Sequence, residues 1–394
     1  MDHFENMLIK LHALVIFRNI LDDPLIKLLF PMLRHDGKSM AERVSDYAAF
    51  TSLLFLEGSD LTRYLRERIM LSDNSYIRTY AKGQALDPAM ELCLVHELGI
   101  LEEAATLGSS EFLKTIEYEG YLPRWKTSPA GFIKDYKERL SHIATLGYGI
   151  YARYHMFSVK NGEVIPARFP DPIRLSDLKG YEKEQQAVIE NTQALLFGKP
   201  AANVLLYGDA GTGKSSTVKA IANEYAGSGL RLVEIKKEQL LELPTVMETL
   251  HQNPLKFILF IDDLSFSSDE EIGTLKAVLE GTVSARSMNI VLYATSNRRH
   301  LIQETYSARG DDDIHANETI QEQASLSDRF GLSVGFFKPG KEKYLDIVHA
   351  LALQHGIKDV ENIDLLAEQH ALERGGRSPR VARQFAEYMK RIED

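Results

Sequence analysis

An apolar run, Asn203-Val204-Leu205-Leu206-Tyr207, leads into Gly208-Asp209-Ala210-Gly211-Thr212-Gly213-Lys214-Ser215. A helix-compatible stretch follows, from Ser216 to Ala226. Strand, glycine-rich loop and helix in that order constrain the fold more than any other feature of the chain, because a GxxxxGK[ST] match has meaning only in this context. Glycines let the backbone curl until successive N–H groups converge on one anion. The helix beyond adds its positive dipole end to the same point. A loop of this chemistry cradles a polyphosphate. Lys214 is placed to reach β- and γ-phosphates, and the Ser215 hydroxyl to ligate Mg²⁺.

Beyond the loop, four more short runs are almost wholly apolar: Leu230–Ile235, Phe257–Ile261, Ile290–Ala294 and Leu332–Phe337. Helical patterns separate them, which predicts an α/β fold with a parallel sheet buried on both faces. The run Phe257–Ile261 ends in Asp262-Asp263. At the carboxyl end of a parallel strand such groups point into the crevice where ligands bind. Asp262 is expected to hold Mg²⁺ and Asp263 to orient or deprotonate an attacking water. Asn297, just past the next run, is a candidate for a γ-phosphate oxygen or the same water. Arg329, in Ser327-Asp328-Arg329-Phe330-Gly331, has two readings: a local ion pair with a neighbouring carboxylate, or a guanidinium offered to the phosphate of an adjacent subunit. Arg380 sits in the first turn of the last helical stretch, where a cation opposes the dipole and an anionic partner would explain it. Arg383 follows on the same face.

The rest of the 394 residues divides by pattern. Residues 1–150 read as a helical N-terminal domain, a recognition or partner-binding region by elimination. Ser39 with Glu42 forms a capping-box signature ahead of Arg43–Leu56, and Ser128-Pro129 marks a helix start before Phe132–Leu146. Phe50, Phe55, Tyr64 and Tyr80 are expected in its core. Residues 151–177 read as a linker with a hairpin around Asn161-Gly162. Residues 178–340 hold the α/β domain, and 341–394 a helical lid whose last helix opens on Ser378-Pro379.

Composition narrows the class further. A hydrophobic fraction of 44% and a charged fraction of 26% suit a soluble globular chain. The single cysteine, Cys93, excludes a disulfide framework and a cysteine-based zinc site, and is expected to be a buried small hydrophobe. Neither a secretory signal nor a long apolar span is visible, so a cytoplasmic protein with no membrane partner is expected. A net charge of −10 argues against broad nucleic-acid binding, though a local basic patch remains open.

Taken in order, Gly208–Ser215, Asp262-Asp263, Asn297, Arg329 and Gly376–Arg383 resemble the AAA+ ATPases over about 173–394. The stretches Lys179–Ser216 and Ser296-Asn297-Arg298-Arg299-His300-Leu301 resemble an uncharacterised bacterial group within them. The resemblance implies ATP rather than GTP, with Mg²⁺, and assembly as a homo-oligomer when ATP is bound. In family terms Asp262-Asp263 correspond to Walker B, Asn297 to sensor 1, Arg329 to the arginine finger and Arg380 to sensor 2. Gly180 and Tyr181 would lie near the adenine, and the loop from Gly208 to Ser216 around the phosphates. The output implied is remodelling of an unknown protein or nucleic-acid client. The alternatives are a nucleotide-gated binding module with negligible hydrolysis, and a DNA-acting loader. Two departures matter. Asp-Asp replaces the usual Asp-Glu, as in replication initiators and helicase loaders, which predicts slow turnover. Lys236–Leu243 lacks the aromatic-hydrophobic-glycine pore loop of protein unfoldases.

Overall fold

In a computed structural model, the structure describes residues 2–34, 36–266, 268–280, 288–297, 326–357 and 362–393. Two compact units are present, Met1–Arg153 and Tyr154–Asp394.

The first unit is built from helices between His3–His12 and Ile150–Arg153. Its core holds Phe17, Phe50, Leu65, Leu98 and Tyr136, all fully buried. Trp125 packs among Tyr47, Phe50 and Phe112. Glu42 and Ser39 form a reciprocal capping box at the start of Met40–Leu56. The second expected helix start is corrected. The helix Phe132–Ser141 begins after Gly131, because the Ser128 hydroxyl donates instead to Asp60 and its N–H to Thr62. Two of the four aromatic assignments also change. Phe50 and Tyr64 are buried, whereas Phe55 and Tyr80 are 44% and 36% exposed. Cys93 is half-buried rather than buried. Its Sγ lies 3.1 Å from Glu97 Oε1.

Glu97 is itself the unit's main buried charge, 3% exposed. Its carboxylate accepts the backbone N–H groups of Val15 (2.7 Å), Ile16 (3.1 Å) and Phe17 (2.9 Å). It therefore holds the turn after the first helix to a helix 80 residues away in sequence.

The second unit is α/β. Among the described residues seven strands form one sheet: β1 (Met156–Lys160), β2 (Glu163–Pro166), β3 (Val204–Gly208), β4 (Leu230–Ile235), β5 (Lys256–Ile261), β6 (Ile290–Ser296) and β7 (Leu332–Phe336). Their order is β2-β1-β4-β5-β6-β3-β7. Every pairing is parallel except β1 with β2. That hairpin turns on Asn161 (φ 53°) and Gly162 (φ 77°), the two successive left-handed residues a type I′ turn demands. The segment expected as a linker thus supplies the sheet's outer edge, since Met156–Ser158 pair with Leu232–Glu234.

Alternation along each strand sends side chains to both faces. Val204, Leu206, Leu232, Ile258 and Phe260 pack with Val188, Leu195, Val218 and Ile221 of the helices Glu182–Leu196 and Lys214–Glu224. Leu205, Val233 and Leu259 are fully buried on the other face, which the helix Leu243–His251 covers alongside β6. Burial on two faces explains why these runs carry no polar alternation. After β7 the described residues form three helices, Lys341–His355, Ile363–Glu373 and Pro379–Glu393, around Tyr344, Val348, Ala367, Ala382 and Phe385. Among the described residues no helix is long and apolar enough to cross a membrane.

Candidate active site

The register of the parallel strands assembles the site. Ile261 stands opposite Ala294, and Tyr207 opposite Ser296. The residues just beyond these pairs, Asp262, Thr295, Asn297 and the loop from Gly208, therefore emerge at one edge of the sheet. Gly208 (φ 125°) permits a close pass, because a Cβ there would stand 2.1 Å from Phe336 O. The same carbonyl accepts Asp209 N–H at 2.9 Å, and the Asp209 carboxylate accepts Lys338 N–H at 2.7 Å. One loop residue thus ties the end of β3 to the end of β7.

Gly211 and Gly213 also have positive φ, 78° and 95°. The helix begins at Lys214, two residues earlier than its sequence pattern suggested. Lys214 is 7% exposed. Its Nζ donates to Gly208 O and Asp209 O, both at 2.8 Å, and to Asn297 Oδ1 at 3.2 Å. Burial pushes its ammonium below the ordinary lysine value. Asp209, Asp263 and Asp262 oppose that shift, while Arg380 adds to it.

The two carboxylates after β5 have different environments. Asp262 Oδ1 accepts the Ser215 hydroxyl at 2.5 Å and the Thr295 hydroxyl at 2.6 Å. Asp263 has φ 53°, a left-handed conformation uncommon outside glycine and the short polar residues. The Thr295 hydroxyl holds it there by accepting its N–H at 2.8 Å, and Asn297 Nδ2 donates to Asp263 Oδ1 at 3.0 Å. Asn297 therefore bridges Lys214 and Asp263. Thr295 was not anticipated from the sequence. Its only signal was its place two residues before Asn297 on a strand terminus.

These groups open onto a cleft of about 460 Å³. Ala210 to Ser216, Asp262, Asp263 and Asn297 line it, together with Tyr181. The helical tail closes one side with Ile347, Leu351, Arg380 and Arg383. The tail is fastened to the loop directly: Arg380 N–H donates to Gly211 O at 3.2 Å. Ser378 Oγ caps the last helix by accepting Val381 N–H at 3.2 Å. Arg383 donates to Asp177 O at 3.1 Å, and Gln354 Nε2 to Asp177 Oδ1 at 3.1 Å.

Tyr181 is buried, stacked on Phe336 at 5.3 Å, with Lys343 Nζ 4.3 Å from its ring centre. Its hydroxyl donates to Phe337 O at 2.5 Å, and burial pushes its pKa up to about 12. Gly180 does not line the cleft. Its φ of 90° turns the chain against Ile347, whose Cδ1 would meet a Cβ at 2.5 Å. Arg329 lies apart as well. It pairs with Glu280 and borders a separate cavity beside Met247 and Leu292. Arg298, Arg299, His300 and Leu301 lie outside the described residues.

Counted from the glycine-loop strand, the parallel strands β4-β5-β6-β3-β7 run 2-3-4-1-5. That order, a glycine-rich loop after the first strand, an acidic pair after the third and a set of C-terminal helices define an α/β fold of P-loop AAA+ type. Residues 151–391 match the family described as "Protein of unknown function (DUF815)", and the chain belongs to that family. A comparison with curated proteins gives no match. Among solved structures, the chain is similar to the RuvB Holliday junction branch migration motor of Thermotoga maritima, at 17% identity and a TM-score of 0.37. The match covers 55% of this chain and 63% of that one. A single-substitution variant of the same protein matches at 17% identity and 0.37, over 56% and 65%. The chain thus spans less than two thirds of the length of either.

Proposed function

We propose that this protein is a Mg²⁺-dependent ATPase of AAA+ type that couples ATP binding and hydrolysis to a change in its lid. The observation that carries the reading is the convergence on one cleft of Lys214, Asn297 and Asp263, joined in a hydrogen-bonded chain, and of Asp262, bonded to Ser215. Lys214 now spends its donors on the loop's own carbonyls. A β,γ-phosphate offers charged oxygens in exchange, a stronger acceptor for an ammonium. The loop N–H groups and the start of the helix Lys214–Glu224 would hold the same oxygens.

Mg²⁺ fits the donors present. The Ser215 hydroxyl and the Asp262 carboxylate share one hydrogen bond at the cleft wall, both hard oxygen ligands. Among the described residues no group of three or more His, Cys, Asp or Glu side chains could hold a metal. One carboxylate and a hydroxyl leave room for the phosphates and waters that Mg²⁺ retains. When bound, the ion would neutralise charge on the phosphates. Asp263, steadied by Asn297, would orient the attacking water and take its proton. Arg380, bonded through its backbone to Gly211, would link the γ-phosphate to the lid.

Arg329 does not reach the cleft of its own chain, which supports its use by a neighbouring protomer and hence assembly in ATP. The helical unit Met1–Arg153 would then hold the client, a protein or a nucleic acid. The test is ATP turnover in wild type against Lys214→Ala and Asp263→Asn. Equal background rates in all three would leave only a nucleotide-gated binding module.

A further inference from the structure

Gln185 lies in the first turn of the helix Glu182–Leu196, where its backbone N–H donates to Tyr181 O at 2.8 Å. The residue is only 8% exposed, yet it lines the same cleft as Thr212, Lys214 and Arg380. Among the described residues its side-chain amide has no hydrogen-bond partner. Neither amide atom is sealed from solvent, so the small exposure that remains opens into the cleft. A mostly buried amide left unbonded costs free energy that a ligand's polar edge would recover. The cleft lining also includes the apolar side chains of Leu178, Tyr181, Ile347 and Leu351, which suit a planar ring.

We infer that Gln185 hydrogen-bonds the base of the bound nucleotide and selects adenine. The inference rests on the nucleotide-binding reading above and adds to it the residue that reads the base. A primary amide carries an acceptor and a donor side by side. Adenine offers the complement, an amino donor beside a ring-nitrogen acceptor. On the corresponding N7 edge guanine shows two acceptors, so one of the two bonds is lost. Gln185 is thus a specificity residue, separate from the groups that hold phosphate.

Calorimetric titration of the full chain with Mg²⁺ and three probes tests this: ATP, purine riboside triphosphate (which lacks the 6-amino group) and inorganic tripolyphosphate. Wild type should bind ATP about tenfold more tightly than the purine analogue, the worth of one well-made hydrogen bond. In Gln185→Leu that ratio should fall to about one, with tripolyphosphate affinity unchanged. Gln185→Met, similar in length and apolar, repeats the measurement should the leucine variant misfold. A ratio that is the same in wild type and variants overturns the inference, as does a wild type that ignores the amino group. Failure of wild type to bind any of the three probes would instead overturn the nucleotide-binding reading, and the base assignment with it.

Discussion

The hydroxyl of Thr295, at the end of β6, donates to the carboxylate of Asp262, beyond β5, across 2.6 Å. The same oxygen accepts Asp263 N–H, so one side chain aims the carboxylate assigned to the metal and fixes the backbone of the one assigned to water. Thr295→Val keeps the shape and removes both bonds. Loss of such an orienting partner costs about 10- to 100-fold in metal affinity or activity. Turnover should fall by that factor, with a higher Mg²⁺ requirement and little change in thermal stability. A variant with wild-type turnover at limiting Mg²⁺ would remove Thr295 from the site.

Binding and chemistry should separate at the next pair of positions. Lys214→Ala removes the ammonium that three acceptors now surround, and nucleotide binding should drop below detection at micromolar concentrations. Asp263→Asn keeps the bond to Asn297 within reach, so ATP should bind with near-normal affinity while hydrolysis stops. General-base assistance is worth about 10²- to 10⁴-fold. Binding lost equally in both variants would assign Asp263 to affinity instead.

The lowered Lys214 value gives a pH dependence with a definite sign. Between that value and the ordinary one of about 10.4, the unfolded chain binds the proton that the folded chain has released. The cost of burying the charge is therefore present in full below the lowered value and disappears as pH rises through the window. Bound polyphosphate reverses the balance by favouring the charged form. Nucleotide affinity should decline as pH rises through the lowered value, before ordinary lysines titrate, and binding there should take up protons. Calorimetry in buffers of different ionisation enthalpy measures the uptake, and none across alkaline pH would contradict the assignment.

Arg329 is paired with Glu280 on its own chain. If it completes a neighbour's site, Arg329→Ala should reduce turnover about a thousandfold, the lower range for a transferred guanidinium. The loss should appear only at concentrations where the protein assembles, and nucleotide affinity of the monomer should be untouched. Full turnover in an assembled Arg329→Ala sample would dismiss the shared site.

In the first unit, Glu97→Ala would strand the buried N–H groups of Ile16 and Phe17 and the half-buried one of Val15. At about 1–3 kcal/mol for a buried donor left unsatisfied, a loss of about 3 kcal/mol is expected in denaturant titration. Burial, then the neighbouring Glu97, pushes the Cys93 thiol up to about 11. Alkylation at neutral pH should accordingly be slow in the wild type and faster in Glu97→Ala. A neutral Glu97→Ala variant would show that water can replace the carboxylate.

Local pattern carried far in this chain. The glycine loop, Asp262-Asp263 and Asn297 were legible because each lies on or beside a strand terminus, and parallel strands deliver such termini to one edge. Ser39 with Glu42 and Ser378 before Pro379 were legible too, since a cap is satisfied within a few residues. The sheet strands showed as apolar runs because both faces are covered. Tertiary structure decided what depends on residues distant in sequence. Ser128 looked like a cap until Asp60, 68 residues away, took its hydroxyl. Phe55 and Tyr80 match their buried neighbours in kind, and only packing decides which aromatic faces solvent. Thr295 and Gln185 are ordinary polar residues until strand register and the lid put one against the Asp262 carboxylate and the Asp263 N–H and leave the other unbonded at the cleft. Periodicity and caps are short-range properties that a sequence carries in itself, whereas a hydrogen-bond partner across the sheet exists only once the strands have chosen their neighbours.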